Sequence, residues 1–314
     1  MRAGAGMNPP LGIALKLGAV IAFVAMQVLI KSTEGRVPPG EVVFFRSFFA
    51  FPVILAWLAW TRELRVGWRT DRPMSHVWRG VVGTSAMGLG FAGLQLLPLP
   101  EVTAISYAAP ILTVIFAAMF LGEQIRLVRI FAVALGMTGV LIVLAPQLSG
   151  FETADGGATQ ALGAMMVLMG AVFAALAQIF LRKMVATERA ATVVLYFTLS
   201  STLFSLFTIP FGWVRPDGHD AALLIAAGLA GGIGQGLLTS SYRFAHASLV
   251  APFDYVSMIF AIAIGYFLFA EVPTLQTLAG GALIAAAGIL IIWRESRLGM
   301  NRDKPRGAGP PPQV

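Results

Sequence analysis

A chain of 314 residues with a formal net charge of +7 and no cysteine is 57% hydrophobic and only 12% charged, with a mean hydropathy of +0.80. That balance lies far outside the soluble range and leaves little room for a water-soluble domain. The basic residues are scattered over loops and form no stripe, which argues against nucleic acid, and the lack of cysteine excludes disulfides, thiolate metal sites and cysteine nucleophiles.

Apolar runs of about 20 residues, long enough to cross a bilayer as helices, recur ten times. They predict an all-α polytopic membrane protein. Helix 1 is expected over 11–31 and helix 2 over 40–60, after the turn Pro38-Pro39-Gly40. A basic loop holds Arg62, Arg65, Arg69, Arg72 and Arg79. Helices 3 (78–97) and 4 (99–121) share a proline-bounded turn, and helix 5 covers 127–145. The stretch 147–160 has no basic residue and reads as a linker. Helices 6 (161–184), 7 (190–213), 8 (220–241), 9 (248–269) and 10 (276–293) follow, and the basic, Gly- and Pro-rich tail 295–314 reads as disordered.

With both ends cytoplasmic, seventeen Lys and Arg fall in inner segments and three, Lys31, Arg36 and Arg215, in outer ones. This bias orients the chain by the positive-inside rule: 1–10 is then a cytoplasmic start, 147–160 a periplasmic linker and 295–314 a cytoplasmic tail.

The two halves repeat. A shift of 148 places Val102 on Val250, Tyr107 on Tyr255, Ile111 on Ile259 and Glu123 on Glu271; a shift of 151 places Gln27 on Gln178 and Lys31 on Arg182. Glycine-rich helix 3 matches glycine-rich helix 8. Five helices per repeat is an odd number, so the second repeat enters the membrane upside down, a construction found in secondary transporters. Residues 11–146 and 161–294 are the expected repeats.

Several polar side chains inside these helices are candidates for substrate binding or gating. Arg46 lies about 9 Å inside helix 2 and is either an anion clamp or outer gate, a structural partner of Glu101, or a snorkelling arginine. Asp254 is a candidate for a coupling proton, for an inner gate with Arg243, or for a helix cap. Gln27 and Gln178 offer a donor and an acceptor each, for a heterocycle edge or for an interhelical hydrogen bond. Tyr107 and Tyr255 are placed to stack on an aromatic substrate, to gate, or to sit in an interfacial belt. Gln235 and Ser85 are further cavity candidates, Lys16 reads as snorkelling to the cytoplasm, and the glycines of helix 8 read as a packing face. Pro110 and Pro252 are expected to kink helices 4 and 9. His76, His219 and His246 fall in or beside loops, at no metal-ligand spacing, and neither a hydrolase elbow nor a phosphate loop is present. No metal or cofactor is expected. A receptor or structural bundle without a polar cavity is the rival class.

The motif Leu121-Gly122-Glu123 before the run 134–142 (ALGMTGVLI), echoed by Ala270-Glu271 before 285–291 (AAAGILI), resembles the drug/metabolite transporter superfamily in its ten-helix EamA type. The second copy has Ala270 where the family pattern has glycine. The resemblance implies two inverted five-helix EamA repeats in a bacterial inner membrane, carrying a small molecule by alternating access, with protons as a candidate coupling ion. It places Glu123 and Glu271 in turns rather than at substrate. Segments 12–17, 42–50 and 88–93 resemble an alphaproteobacterial subgroup that includes riboflavin importers. Riboflavin uptake is therefore the first substrate expectation, and exchange of an amino acid or an S-adenosylmethionine-type metabolite the second.

Overall fold

The structure is a computed structural model, and it describes residues 8–121, 127–149, 157–184, 188–245 and 247–302. Among these residues all regular structure is helical. The helices are α1 (Pro9–Lys31), α2 (Pro39–Trp60), the short α3 (Leu64–Gly67), α4 (Pro73–Leu96), α5 (Leu99–Ser106), α6 (Ala108–Leu121) and α7 (Leu127–Ser149). They continue as α8 (Gly157–Met184), α9 (Ala190–Leu206), α10 (Gly218–Phe244), α11 (Ala247–Val250), α12 (Val256–Phe269) and α13 (Leu275–Arg302). Short 3-10 turns cover Ile209–Phe211 and Ala251–Tyr255.

Eight spans among the described residues are long and apolar enough to cross a membrane, counting α5 and α6 as one. Two expected spans fall short of that measure. Helix α9 has 17 residues, and α4, although 24 residues long, is diluted by glycines and carries His76 and Arg79. Helix α4 starts at Pro73, earlier than expected, because proline is favourable at a first helical position. Arg79 therefore lies within a helix, 4.2 Å above the Phe197 ring, and not in the basic loop. At the other end of the chain α13 runs to Arg302, past the boundary expected at 294, while 303–314 lie outside the described residues.

Proline breaks the two repeat-equivalent helices. Pro110 has no N–H for the Ser106 carbonyl, and its ring crowds that carbonyl. The helix expected over 99–121 is accordingly interrupted at Tyr107, whose N–H is shared between Thr103 and Ala104. In the second repeat, Pro252 is the second residue of the 3-10 turn Ala251–Tyr255, and α-helix resumes only after Tyr255.

Packing is reciprocal between the halves. The first helix of each repeat (α1, α8) lies along the third helix of the other (α10, α4), and α7 lies along α13. Helix α2 touches both α10 and α9. Glycine makes the close approach possible: a Cβ on Gly228 would stand 2.8 Å from the Phe45 carbonyl oxygen, and one on Gly232 3.0 Å from that of Ala50. The small-residue face of helix 8 is thus its seam with α2.

Polar clasps tie the connections. Arg36 forks onto Asp220, Nε to Oδ2 at 2.9 Å and Nη2 to Oδ1 at 2.7 Å, and this hydrogen bonding holds the guanidinium pKa above its ordinary value. The Glu188 carboxylate accepts from Thr70 Oγ1 at 2.7 Å and from the Asp71 N–H at 3.1 Å.

Candidate functional site

The two chain breaks come together. Tyr107 and Tyr255, equivalent in the repeat, meet edge to face with ring centroids 4.9 Å apart and planes at 66°. The Tyr107 hydroxyl shares a 2.5 Å hydrogen bond with Ser257 Oγ and donates at 3.2 Å to the Asp254 carbonyl. Tyr255 reaches toward α13, where Gly288 leaves the space its hydroxyl fills. Tyr107 is buried, so an interfacial belt does not account for it.

Two lysines of α1 bind acids of the same opposing segment. Lys16 Nζ lies 2.6 Å from Asp254 Oδ1, and Lys31 Nζ lies 2.9 Å from Glu271 Oε1. Fifteen residues separate the lysines, about 22 Å along a helix. Lys16 is 2% exposed and does not snorkel. Its stem is buried and its charge is met by Asp254, with the Tyr242 ring 5.8 Å away. The partner of Asp254 is therefore Lys16; the Arg243 side chain and His246 lie outside the described residues.

The Lys31 end is a larger cluster. Lys31 also donates to the Leu97 carbonyl at 2.6 Å, and Glu271 Oε2 accepts from the Leu99 N–H at 2.8 Å, which caps the start of α5. Glu271 follows Ala270, a non-glycine residue at φ +54° that ends α12 in the left-handed region, where the family pattern has glycine. Glu101 is buried here and accepts at 2.6 Å from Gln147 Nε2, so it pairs with Gln147 rather than with the expected Arg46. Glu123, the repeat equivalent of Glu271, lies outside the described residues.

Arg46 makes no hydrogen bond or ion pair among the described residues; it is 6% exposed and its Nε is enclosed without a partner. Gln27 and Gln178 make no hydrogen bond among the described residues either. At 100° per residue Gln27 falls on the α1 face of Lys16 and Val20, and Gln178 on the α8 face of Val167 and Ala171. Those faces are buried, yet Gln27 is half-buried and Gln178 exposed. Gln235 is half-buried on α10, one turn beyond Gly231. Ser85 lines a cleft of about 560 Å³ between α2, α4, α8 and α9, beside Val43, Gly88, Phe173 and Phe204. That is the size of a small-molecule site.

Sequence reasoning misses the lysine–acid pairs and the surroundings of His76. That histidine is buried in the first turn of α4, stacked on Tyr196 at 4.6 Å, with both ring nitrogens unpartnered and Nε2 3.9 Å from Glu188. Lys16 is the available signal: a charge inside an apolar run needs a counter-charge. His219 also departs from expectation, since it groups with Asp217 and Asp220 within 4.8 Å, although Asp217 caps α10 and Asp220 holds Arg36.

Comparison with known proteins agrees with this architecture. The model of the EamA-like transporter family matches residues 10–145 and again 161–294. An S-adenosylmethionine uptake transporter of Rickettsia felis is 27% identical, over 91% of this chain and 94% of its own. A pseudopaline exporter of Pseudomonas aeruginosa is 30% identical over 89% and 95%, and a riboflavin transporter of Rhizobium johnstonii 26% identical over 93% and 95%. A solved crystal structure with a TM-score of 0.63 and 20% identity, covering 91% of this chain and 98% of its own, shares the fold. Two matching repeats, all-helical membrane spans and relatives aligned nearly end to end lead to one conclusion: the chain belongs to the EamA-like transporter family, within the drug/metabolite transporters.

Proposed function

We propose that this membrane transporter moves a small metabolite by alternating access. In this proposal α4 and α9 join the eight long apolar spans to give ten, arranged as two inverted repeats in a bacterial inner membrane with both ends cytoplasmic. The carrying observation is the meeting of Tyr107 and Tyr255 at the breaks of equivalent helices. Discontinuous helices at a repeat interface free backbone groups beside a cavity, where carriers place substrate. Lys16–Asp254 on one side of this crossing and Lys31–Glu271 on the other are the proposed gates, and Gln27, Gln178, Gln235 and Arg46 the proposed substrate contacts.

Riboflavin uptake is supported by the resemblance of segments 12–17, 42–50 and 88–93 and by the Rhizobium relative; uptake of an S-adenosylmethionine-type metabolite is supported by the Rickettsia relative. Saturable uptake of radiolabelled riboflavin or S-adenosylmethionine into bacterial membrane vesicles, present only with this gene, tests both. Gln27→Ala and Gln178→Ala should reduce it. If neither compound, nor any member of a wider amino-acid and metabolite panel, crosses in either direction despite verified insertion, the carrier function fails.

A further inference from the structure

We infer that Arg46 is the anchor for a carboxylate on the transported molecule, so that the substrate is a carboxylic acid and not a neutral heterocycle. The inference rests on the carrier function proposed above and names the chemistry of its site.

Arg46 is the eighth residue of α2, about 10 Å along that helix. Its stem packs on Gly231, the fourteenth of the 27 residues of α10, where a Cβ would stand 3.2 Å from Arg46 Nε and 2.9 Å from Met26 Sδ. The charge therefore sits near the middle of a spanning helix. An arginine at that depth stays charged and needs an anion or a polar cavity.

The described acids that border the helix bundle are engaged elsewhere. Glu101 holds Gln147, Asp254 holds Lys16, Glu271 holds Lys31, Glu41 accepts from the Val214 N–H and Asp220 holds Arg36. Arg79, half-buried and likewise without a hydrogen bond at Nε and Nη1, covers the Phe197 ring, whereas the more deeply buried Arg46 has no such aromatic contact among the described residues. A planar guanidinium left with free N–H groups matches a carboxylate bidentately. Val43, one turn earlier on α2, lines the cleft of about 560 Å³, and Gln27 and Gln235 on the flanking helices bring further uncommitted amides.

The test is equilibrium binding to the purified full-length protein in detergent, with S-adenosylmethionine and its decarboxylated counterpart as probes and riboflavin as the neutral competitor. Wild type is expected to bind the acid at least tenfold more tightly than the decarboxylated compound. Arg46→Gln should erase that difference by weakening the acid alone, and Arg46→Lys, which keeps the charge and loses the fork, should retain part of it. Equal affinity for both probes, binding of riboflavin alone, or an Arg46→Gln variant that weakens both probes equally would overturn the anchor. Saturable riboflavin transport without preference for acids would overturn it too, yet leave the carrier standing; absence of all transport would strike the carrier function itself.

Discussion

Tyr107 and Tyr255 stand edge to face at 4.9 Å, each at the point where its helix breaks. Equivalent residues of two repeats touch one another only close to the axis that relates the repeats. An edge-to-face aromatic contact contributes about 0.5–1.5 kcal/mol beyond its buried area, enough to hold a crossing point and small enough to let it move. Tyr107→Ala and Tyr255→Ala should each lower vesicle uptake at least tenfold while the purified protein stays monodisperse. Tyr255→Phe, which keeps the ring, should retain most activity, and Tyr107→Phe should lose more because the links to Ser257 and the Asp254 carbonyl go with the hydroxyl.

The Lys16–Asp254 pair couples a buried cation to a half-exposed acid. Removing one partner strands the other, so Asp254→Asn should destabilise the protein through the buried Lys16, by about 1–3 kcal/mol because the half-exposed acid makes the pair only partly buried. The exchanged double variant Lys16→Asp with Asp254→Lys should recover part of the transport lost by each single change. A double variant no better than the worse single would show that the pair does not act as a unit.

Ala270 occupies a left-handed helix end at φ +54°, a conformation that costs an L-residue about 1–2 kcal/mol and glycine nothing. Ala270→Gly should therefore raise the thermal unfolding midpoint in detergent. Glycine also gains freedom in the unfolded chain, so the net gain should be about 1 kcal/mol. Uptake should not change, since the residue shapes the turn before Glu271.

Gly288 is the surface on which the Tyr255 hydroxyl rests. Gly288→Val should push that ring away from Tyr107 and lower uptake as Tyr255→Ala does. Combined with Tyr255→Ala, which empties the space, it should add little further loss. Additive losses in the double variant would place the effect of Gly288 elsewhere.

Much of the architecture is legible in the amino-acid sequence. Apolar run length locates the helices, and the shift of 148 residues brings Tyr107 and Tyr255 into equivalence, which the fold turns into contact. The break at Tyr107 is half legible: Pro110 marks a kink, but a proline disturbs the carbonyl four residues earlier, and so the chain parts upstream of it. Side-chain pairing is not legible. Arg46 and Glu101 are expected toward the same end of their helices, yet which acid meets which base depends on how helices rotate and cross, and hydropathy is blind to that rotation. The distance of Lys16 from its helix end suggests snorkelling, whereas Asp254 sits directly opposite in space. His76 and Arg79 suggest a loop and hence a late start for α4, and the aromatic faces of Tyr196 and Phe197 make them internal.

Alternating access is tested most directly by closing one end of the α1–α12 contact at a time. The natural chain has no cysteine, so introduced thiols are the only reactive ones. One variant carries Lys16→Cys and Asp254→Cys, the other Lys31→Cys and Glu271→Cys, and each also carries Gln27→Cys as a reporter on the inner face of α1. After the paired cysteines are bridged by a mercuric ion, and a dilute monothiol has freed the lone reporter while the two-thiolate bridge holds, the reporter is challenged with a membrane-impermeant maleimide from each side in turn. Closing the Lys16 end should stop transport and leave the reporter reactive only from the Lys31 side, and closing the Lys31 end should give the reverse. Transport that continues through either closed form, or a reporter labelled equally from both sides, would contradict alternating access.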